Sequence, residues 1–303
     1  MKKNSIFLVS IGLAVLIAGC TMPGGGGGTA ITGNGLVITS FQPEFDSVRS
    51  GDSVQLLLEV QNTGQPPAKN IKAYLFGINP AQWGVASPLK DVAAKLEGPE
   101  EEPPIPGEMD SVTWDLTAPA LQEGVSNTYQ PRARVFYEYS SAGSVSIPVL
   151  SESEYKMIQS RGEVMPQMSD TIVTKGPLGV KIDARTPVVI REGGSESFRL
   201  VVTVTNIGSG NTYNLAEHAN VPTIPEEKMN QVELKITAPG AAAVDCDAMT
   251  DWQVLDLRGG SEGVYNCELQ VSGVGARMDL PVTVDLRYGY MQDAVTSIRV
   301  TGA

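Results

Sequence analysis

The chain has few of the residue types that histidine-based zinc sites and nucleic-acid sites require. Its 303 residues include one histidine, His218, so a zinc site built on two or more imidazoles is excluded. Lysine and arginine number 22 against 34 acidic residues, which gives a formal net charge of -12. A body of that sign repels phosphate backbones and anionic membrane surfaces, so no nucleic-acid partner is expected.

Aromatic residues are also scarce, at 6% of the chain, whereas glycine and proline are plentiful at 32 and 20 residues. A hydrophobic fraction of 42% is enough to fill packed cores and argues against disorder. The many glycines and prolines argue against a mainly helical protein, because both residues interrupt helices. The composition therefore predicts an all-β fold of short strands joined by many turns.

A long apolar run lies at the N-terminus. Two lysines precede 13 largely apolar residues, 6–18, and small residues follow them. This pattern is typical of a secretion signal, and it is shorter than the roughly 20 apolar residues of a spanning helix. Pro23 and the five glycines at 24–28 prevent its extension. We predict a signal peptide over residues 1–19.

The end of this segment, Leu16-Ile17-Ala18-Gly19-Cys20, resembles the lipobox of prokaryotic lipoproteins. The resemblance implies that the chain is cut before Cys20 and that the Cys20 thiol carries a lipid. An uncleaved anchor and plain secretion are the alternatives. We expect an exported protein, anchored through Cys20 to the outer face of the cell membrane or cell envelope, with a flexible glycine-rich tether at 20–34.

The body of the chain contains an internal repeat, because residues 35–64 align without gaps on residues 179–208. In both copies apolar residues alternate with polar ones, which predicts a strand with one buried face. Each strand is followed by Asn-x-Gly, a sequence typical of turns. The identical pairs are Gly35/Gly179, Ile38/Ile182, Pro43/Pro187, Ser53/Ser197, Leu56/Leu200, Val60/Val204, Asn62/Asn206 and Gly64/Gly208.

The far ends of the two halves match at a different offset, so insertions separate the matches. Tyr137-Glu138-Tyr139 corresponds to Tyr288-Gly289-Tyr290, and a further strand signal follows each, at 145–149 and 296–300. We interpret each as a hairpin that closes its copy, and about seven strands per copy fit a β-sandwich. The predicted organisation is a signal peptide at 1–19, a lipidated cysteine and tether at 20–34, a first sandwich at 35–150, a connector at 151–176 and a second sandwich at 177–303.

The sequence Leu-Leu-Leu-Glu-Val-Gln-Asn-Thr-Gly at 56–64, its counterpart at 200–208 and the two Tyr-x-Tyr strands are similar to tandem CARDB-like modules. These are immunoglobulin-like modules of prokaryotic, especially archaeal, cell-surface proteins. The resemblance implies two tandem immunoglobulin-like antiparallel β-sandwiches in a non-catalytic surface lipoprotein. Such modules act as spacers, adhesion modules or envelope-assembly partners, with a protein or an envelope glycan as partner. The alternative is an extracytoplasmic binding protein for a small ligand such as calcium or a glycan.

With Cys20 assigned to lipid, Cys246 and Cys267 form an even pair in an oxidising compartment, and we predict a disulfide between them. The alternative is two buried free thiols. Tyr265, two residues before Cys267, resembles the tyrosine corner of immunoglobulin domains. Trp252 follows Cys246 too closely for a bridge between the two sheets of that family, so we expect a staple between a loop and a strand.

Four aspartates, Asp245, Asp247, Asp251 and Asp256, offer the oxygen ligands that calcium prefers. As an EF-hand loop starting at Asp245, the sequence has Thr250 where glycine is required, so that motif fails. A cation site of another kind and a solvated acidic loop are the two alternatives.

The run Gly259-Gly260-Ser261-Glu262-Gly263 matches the Gly-x-Ser-x-Gly motif of hydrolases, whose serine lies between a strand and a helix. Here a strand signal follows the motif, so we interpret it as a glycine-rich hairpin turn. His218, the one candidate base, is predicted to be a surface or loop residue. We predict no catalytic residue, no metal ligand and no cofactor.

Other segments have weaker signals. Ser151 begins a capping sequence that ends before Gly162, which predicts a connector helix, and Ser87-Pro88 suggests a helical turn ending near Gly98. The acidic, proline-rich residues 97–107 are predicted to form a solvated loop. The three tryptophans and nine tyrosines either fill the cores or form a sugar-binding platform.

Overall fold

Alternation of apolar and polar residues determines which segments of this chain become strands. In the strand Ser53–Asn62, Val54, Leu56, Leu58 and Val60 are buried while the residues between them are exposed or partly exposed. Such a strand covers a core with one face and meets solvent with the other. The computed structural model describes residues 35–191 and 193–302, and the predicted signal peptide, the lipidation site Cys20 and the tether lie outside them.

The described residues form an all-β sandwich fold, and the predicted fold class is confirmed at that level. The assignment of two immunoglobulin-like modules stays a prediction. The strands are β1 (Leu36–Pro43), β2 (Ser47–Arg49), β3 (Ser53–Asn62), β4 (Ala68–Phe76), β5 (Leu89–Leu96), β6 (Met109–Thr117), β7 (Ser126–Tyr129), β8 (Arg132–Ser151), β9 (Ile172–Val173), β10 (Leu178–Ala184), β11 (Val188–Ile190), β12 (Ser195–Asn206), β13 (Asn211–Tyr213), β14 (Gln231–Thr237), β15 (Ala241–Asp245), β16 (Gln253–Asp256), β17 (Glu262–Ser272), β18 (Arg277–Val295) and β19 (Ile298–Thr301).

Within residues 35–191 and 193–302, one α-helix and three short 3-10 helices interrupt the strands. The α-helix is α1 (Glu152–Arg161), and the 3-10 helices span Leu215–Asn220, Glu226–Lys228 and Asp247–Met249. Ser151 caps α1 by accepting a hydrogen bond from the Glu154 N–H, and Gly162 ends it in a left-handed conformation with φ 68°. The predicted connector helix is therefore confirmed. It could be predicted because the sequence contains residues typical of both caps.

The segment predicted as a helical turn near Gly98 is a strand instead, and that prediction is wrong. β5 pairs antiparallel with β4, and pairing with a neighbouring strand overrides the local Ser87-Pro88 capping signal. Residues 97–106, which follow β5, are largely exposed, as the solvated-loop interpretation predicts.

The two halves of the chain repeat one strand order. In the first half, β1, β3 and β6 form one sheet, and β8, β4 and β5 are neighbours in a second. In the second half, β10, β12 and β17 form one sheet, extended by β15, and β18, β14 and β16 are neighbours in the other. The repeated sequence therefore corresponds to a repeated topology.

The long strands β8 and β18 join the halves into one continuous sheet. They pair antiparallel along their length, with Tyr137 opposite Tyr290 and Tyr139 opposite Tyr288. Because Tyr137 and Tyr139 align in sequence with Tyr288 and Tyr290, this register relates the halves by a local two-fold axis. The axis passes through the pair Glu138 and Gly289, where each residue faces its own repeat counterpart.

Each long strand continues beyond this axis into the other half. Gly143 of β8 lies against Val180 of β10, so closely that an added Cβ would come within 2.8 Å of the valine. At the other end, the Gln292 side chain of β18 donates a 2.6 Å hydrogen bond to the Leu36 carbonyl of β1, and β19 pairs with β2 and β7. The predicted module boundaries at 150 and 177 stay a prediction, but strands from both modules cross the junction.

The predicted closing hairpins are wrong in both halves. In the second half, β19 pairs with β2 and β7 instead of folding back on β18. In the first half, Tyr137-Glu138-Tyr139 and residues 145–149 belong to one uninterrupted strand, β8, because residues 140–144 continue to pair with β18 instead of turning back.

Among the described residues, no helix is both long and apolar enough to cross a bilayer.

Candidate functional site

A disulfide fixes one edge of the second half. Cys246 and Cys267 lie at bonding distance, with 4.8 Å between their Cα atoms. Cys246 directly follows β15, and Cys267 lies in β17, the strand that pairs with β15. The bond is therefore a staple between a strand and the loop beside it, as the spacing of Cys246 and Trp252 predicts. The closed loop stabilises the fold by roughly 3 kcal/mol in the chain-entropy description.

Tyr265 supports the same corner. Its hydroxyl accepts a 3.3 Å hydrogen bond from the Ala248 N–H in the 3-10 helix that follows Cys246. Burial raises the pKa of Tyr265, so the phenol stays neutral. As in a tyrosine corner, a tyrosine two residues before a cysteine here makes a hydrogen bond between its hydroxyl and a nearby backbone turn.

The loop of this corner is held by backbone hydrogen bonds and by the Asp251 carboxylate. The Asp247 carbonyl accepts hydrogen bonds from the N–H groups of Thr250 and Asp251, and the Asp251 carboxylate accepts one from the Trp252 N–H. Within residues 35–191 and 193–302, no group of three or more histidine, cysteine, aspartate or glutamate side chains could hold a metal ion.

Ser261 and His218, the two residues of a hydrolase interpretation, are bonded to different partners. The Ser261 hydroxyl donates 2.9 Å to the Arg258 carbonyl within the turn between β16 and β17. Gly259 and Gly260 have φ values of 58° and 73°, which explains the two glycines of this tight turn. β16 and β17 belong to different sheets, so the turn connects the two sheets and the predicted hairpin is wrong in that respect. The Gly-x-Ser-x-Gly sequence is therefore part of a tight turn, as predicted.

His218 is buried, and the prediction of a surface position is wrong, although the residue does lie in a loop segment, the 3-10 helix Leu215–Asn220. Its side chain is 5% exposed, and its ring stacks on the Tyr213 ring. Its Nδ1 lies 2.7 Å from the Tyr213 hydroxyl, and its Nε2 lies 2.7 Å from the Asn70 carbonyl. A carbonyl only accepts, so Nε2 carries the proton and Nδ1 accepts from the tyrosine. Burial lowers the pKa of His218, which favours this neutral form.

The Asn70 carbonyl that His218 reaches belongs to an irregular part of β4. Asn70 has φ 51°, a left-handed conformation that few residues other than glycine adopt. The pairing of β4 with β8 shifts register between Lys69 and Lys72, which marks a β-bulge. Bulges redirect side chains and are common beside binding sites. The imidazole thus ties a loop of the second half to a bulge in the first.

A groove of about 500 Å³ opens beside this contact. Its lining includes His218, Lys72, Asp91 and Glu138, together with the small apolar side chains of Ala93, Ala94 and Ala219. Lys72 lies opposite Asp91 in the register of β4 and β5. The groove therefore offers acceptors and a donor around an apolar floor, which is a pattern of small-ligand sites.

Several of the described aromatic side chains lie in the cores, whereas Trp252, Tyr74 and Phe76 are partly exposed. Trp83 and Trp114 are 1% exposed and belong to the core. The tyrosines of β8 and β18 form a buried cluster at the junction, in which the Tyr137 and Tyr290 ring centroids lie 5.6 Å apart. Burial raises the pKa of Tyr137 and Tyr288 well above the ordinary value, so these phenols act as hydrogen-bonding core residues.

No protein-family model matches the chain, and no curated protein matches it. Among solved structures, red sea bream transglutaminase is 9% identical over 87% of this chain and 31% of its own, with a TM-score of 0.20. The secreted serine protease VesC from Vibrio cholerae is 10% identical over 86% of this chain and 51% of its own, with a TM-score of 0.19. The CupB6 tip adhesin from Pseudomonas aeruginosa is 10% identical over 88% of this chain and 96% of its own, with a TM-score of 0.13. The chain thus spans about a third of the transglutaminase and half of the protease.

Proposed function

We propose that the chain is a non-catalytic surface lipoprotein, anchored through Cys20, whose β-sandwich body holds a binding or assembly surface away from the membrane. The observation that carries the proposal is the lipobox-like sequence Leu16-Ile17-Ala18-Gly19-Cys20, followed directly by glycine-rich residues. A lipid on one thiol gives attachment, and a glycine-rich segment gives reach. The partner in this proposal is a protein or a glycan of the envelope.

The pairing of β8 with β18 supports a role as a spacer or platform. Two domains joined by a linker usually move relative to one another, whereas here antiparallel pairing from Arg132 to Leu150 crosses the junction. The buried tyrosine cluster on this sheet adds side-chain packing to the backbone bonds. A body of this kind presents its loops and edges in fixed positions.

The bond between Cys246 and Cys267 supports an extracytoplasmic location, because disulfides persist in oxidising compartments and are rare in reducing ones. The formal net charge is -12, so anionic membrane surfaces repel the protein electrostatically. This charge is consistent with attachment through the lipid and not through a basic surface.

The proposal is tested by intact mass of the full-length protein purified from the membranes of a prokaryotic host, before and after reduction and alkylation. We expect a chain that begins at Cys20, carries added lipid mass and exposes two alkylatable thiols only after reduction. Cys20→Ala should lose the lipid mass, whereas Cys246→Ser should keep it and lose only the disulfide. A wild-type chain that begins at Met1, or that lacks lipid, would overturn the proposal.

The groove beside His218 favours a second candidate, an extracytoplasmic binding protein for a small polar ligand. The carboxylates of Asp91 and Glu138 would accept hydrogen bonds from ligand hydroxyl groups, and the Lys72 ammonium would donate one. A ligand that binds only the folded state raises the melting temperature. The test is a melting-temperature series with calcium chloride and with a panel of oligosaccharides. A rise that Glu138→Gln abolishes and the exposed variant Glu268→Gln preserves supports the candidate, and no rise with any member rejects it for these ligands.

A further inference from the structure

The two-fold relation between the halves extends to the strands around β8 and β18. β4 pairs with β8 on the side away from β18, and β14 pairs with β18 in the matching place. β11 runs parallel to the end of β8, and β2 runs parallel to β19, which continues β18. The pairs are in register, because Val188 lies opposite Val149 and Val48 lies opposite Val300.

The short strand β9 has no described counterpart in the first half. In the second half Val173 lies opposite Gly143 of β8, and Ile172 lies opposite Ser144. Thr171, directly before β9, accepts a hydrogen bond from the Ile182 N–H of β10 through its hydroxyl. This segment therefore fills the space between β8 and the edge strand β10.

The equivalent space in the first half is an open groove. The two-fold relation carries Gly143 and Ser144 onto Ala294 and Val295, and it carries β10 onto β1. A groove of about 410 Å³ lies at this place, lined by residues 37–41 of β1, residues 292–295 of β18 and Ser209.

Both walls of this groove are strand edges. β1 pairs with β3 on one side, and residues 292–295 of β18 pair with β8 on one side. A strand paired on one side directs alternate N–H and C=O groups to the other side, where they can pair with an added strand. The groove is thus shaped by its backbone to accept an extended segment.

The sequence indicates which segment fits. Thr171-Ile172-Val173-Thr174 precedes Leu178, and Thr29-Ala30-Ile31-Thr32 precedes Leu36 at the same spacing. The two leucines are structural equivalents, because Leu178 lies opposite Asn206 and Leu36 lies opposite Asn62. The gapless sequence alignment, which places Leu36 on Val180, is therefore wrong by two residues at the start of this strand, although it holds for Asn62 and Asn206. The described part of the chain therefore begins beside the groove wall that residues 37–41 of β1 form.

We propose that this groove is a strand-acceptor site and that its occupant is the chain's own segment at residues 31–34. Ile31 would lie opposite Ala294 as Val173 lies opposite Gly143. The docking does not depend on the proposed lipid anchor. The effect of docking on the tether does depend on that anchor. In an anchored protein, docking shortens the predicted tether, which sets the distance between the membrane and the β-sandwich body.

The test is disulfide trapping in the mature chain, residues 20–303, with Cys20→Ser to avoid acylation. Ile31→Cys is combined with Ala294→Cys, and the matched control combines Ile31→Cys with Val254→Cys, an exposed valine of β16. Docking raises the local concentration of one thiol at the other, so we expect at least about tenfold more intramolecular cross-link for the first pair. Equal cross-linking of the two pairs overturns the proposal. A cross-link found only between two copies overturns it as well and assigns the groove to the segment of a neighbouring molecule.

A second measurement avoids cysteines and applies if those variants fold poorly. Amide hydrogen exchange of residues 293–295 and of 37–41 is compared between the mature Cys20→Ser chain and the same chain carrying Thr32→Pro, which removes one backbone donor. Docking predicts faster exchange at the groove edges in the proline variant, by at least about tenfold, with exchange in β12 unchanged. Fast exchange at these edges in both chains contradicts the proposal.

Discussion

The Tyr290 hydroxyl donates a 3.0 Å hydrogen bond to the side-chain oxygen of Asn206, and Tyr139 makes the same contact with Asn62 at 3.4 Å. In each half the second tyrosine of Tyr-x-Tyr therefore reaches the asparagine of Asn-x-Gly. The contact links the last strand of each repeat to the turn after its first long strand. The two repeated motifs act as one structural unit.

The asparagine is the centre of this unit. The Asn62 side-chain N–H groups donate to the carbonyls of Pro66 and Leu96, and its oxygen accepts from the Gly64 N–H. A Cβ at Gly64 would lie 2.1 Å from the Tyr139 hydroxyl, so only glycine fits at this position. In the second half Asn206 and Gly208 repeat the arrangement, with donations to the carbonyls of Gly210 and Gly260.

Replacing Asn62 should be costly, because the side chain is fully buried and serves four hydrogen-bond partners. Asn62→Ala removes this partner from two carbonyls, the Gly64 N–H and the Tyr139 hydroxyl. We expect a loss of about 2–4 kcal/mol in the free energy of unfolding, measured by urea titration.

The control for this prediction is Asn127→Ala, at an exposed position of β7. It should change the unfolding free energy by less than about 0.5 kcal/mol. If Asn62→Ala behaves like the control, the asparagine is an ordinary turn residue and not the centre of a buried network.

Much of the fold could be predicted because its signals are local. The alternation in β3 and β12, the caps of α1 at Ser151 and Gly162, and the glycine turn at Ser261 each depend on a few neighbouring residues. The internal repeat in the sequence also predicted that the two halves share one strand order. The link between Asn62 and Tyr139 could not be predicted, because it joins residues 77 positions apart and nothing in either motif specifies its partner.

Two errors have the same origin. Residues 140–144 of β8 are serine, alanine and glycine, which suggest a turn, yet pairing with β18 holds them extended. His218 lies in a polar run that suggests exposure, but its partner Asn70 is 148 positions away. In both cases a contact between the halves decides the structure, and a single sequence carries no signal for that contact.

The two Tyr-x-Tyr motifs differ at their middle residue, which is Glu138 in the first half and Gly289 in the second. A Cβ at Gly289 would lie 2.1 Å from the Tyr213 ring, whereas its counterpart Glu138 lies opposite Lys69 of β4. We expect Gly289→Ala to lower the unfolding free energy by about 1–3 kcal/mol, measured by urea titration, because the ring must move.

The matched variant is Gly179→Ala, also in a strand, where the nearest atom to an added Cβ is 3.8 Å away. It should be nearly neutral or slightly stabilising. Comparable losses in both variants would mean that the alanine acts through strand propensity and not through Tyr213.

The disulfide should contribute measurably to stability. The double variant Cys246→Ala with Cys267→Ala should lose roughly 3 kcal/mol of unfolding free energy, because the unfolded chain gains conformational freedom. Reduction of the wild-type protein should have a similar effect, and reduction of the double variant should have none. Two thiols that react with alkylating reagent in the unreduced folded protein would contradict the bond between Cys246 and Cys267.

His218 should make stability depend on pH in a defined direction. Burial lowers its pKa below the ordinary 6.5, while its contact with the Asn70 carbonyl and the nearby charge of Glu138 oppose this and Lys72 adds to it. The unfolded chain therefore binds a proton more readily than the folded chain. The unfolding free energy should be constant above about pH 7, fall as the pH drops through 6.5 and level off below the folded pKa.

This dependence can be isolated with His218→Gln, which keeps hydrogen-bonding capacity at the side chain and removes the titration. Urea midpoints measured from pH 5 to pH 8 should show the fall in wild type and a shallower slope in the variant, and the difference between the two curves is the contribution of His218. Asp285 works against it, since burial raises the pKa of that carboxyl and favours the folded state at low pH in both proteins, so it cancels in the difference. A difference curve that is flat from pH 5 to pH 8 would mean that the imidazole is protonated with equal ease in the folded and unfolded chains. A curve of opposite sign would mean that Glu138 outweighs the loss of solvent and that the imidazole is charged in the folded protein.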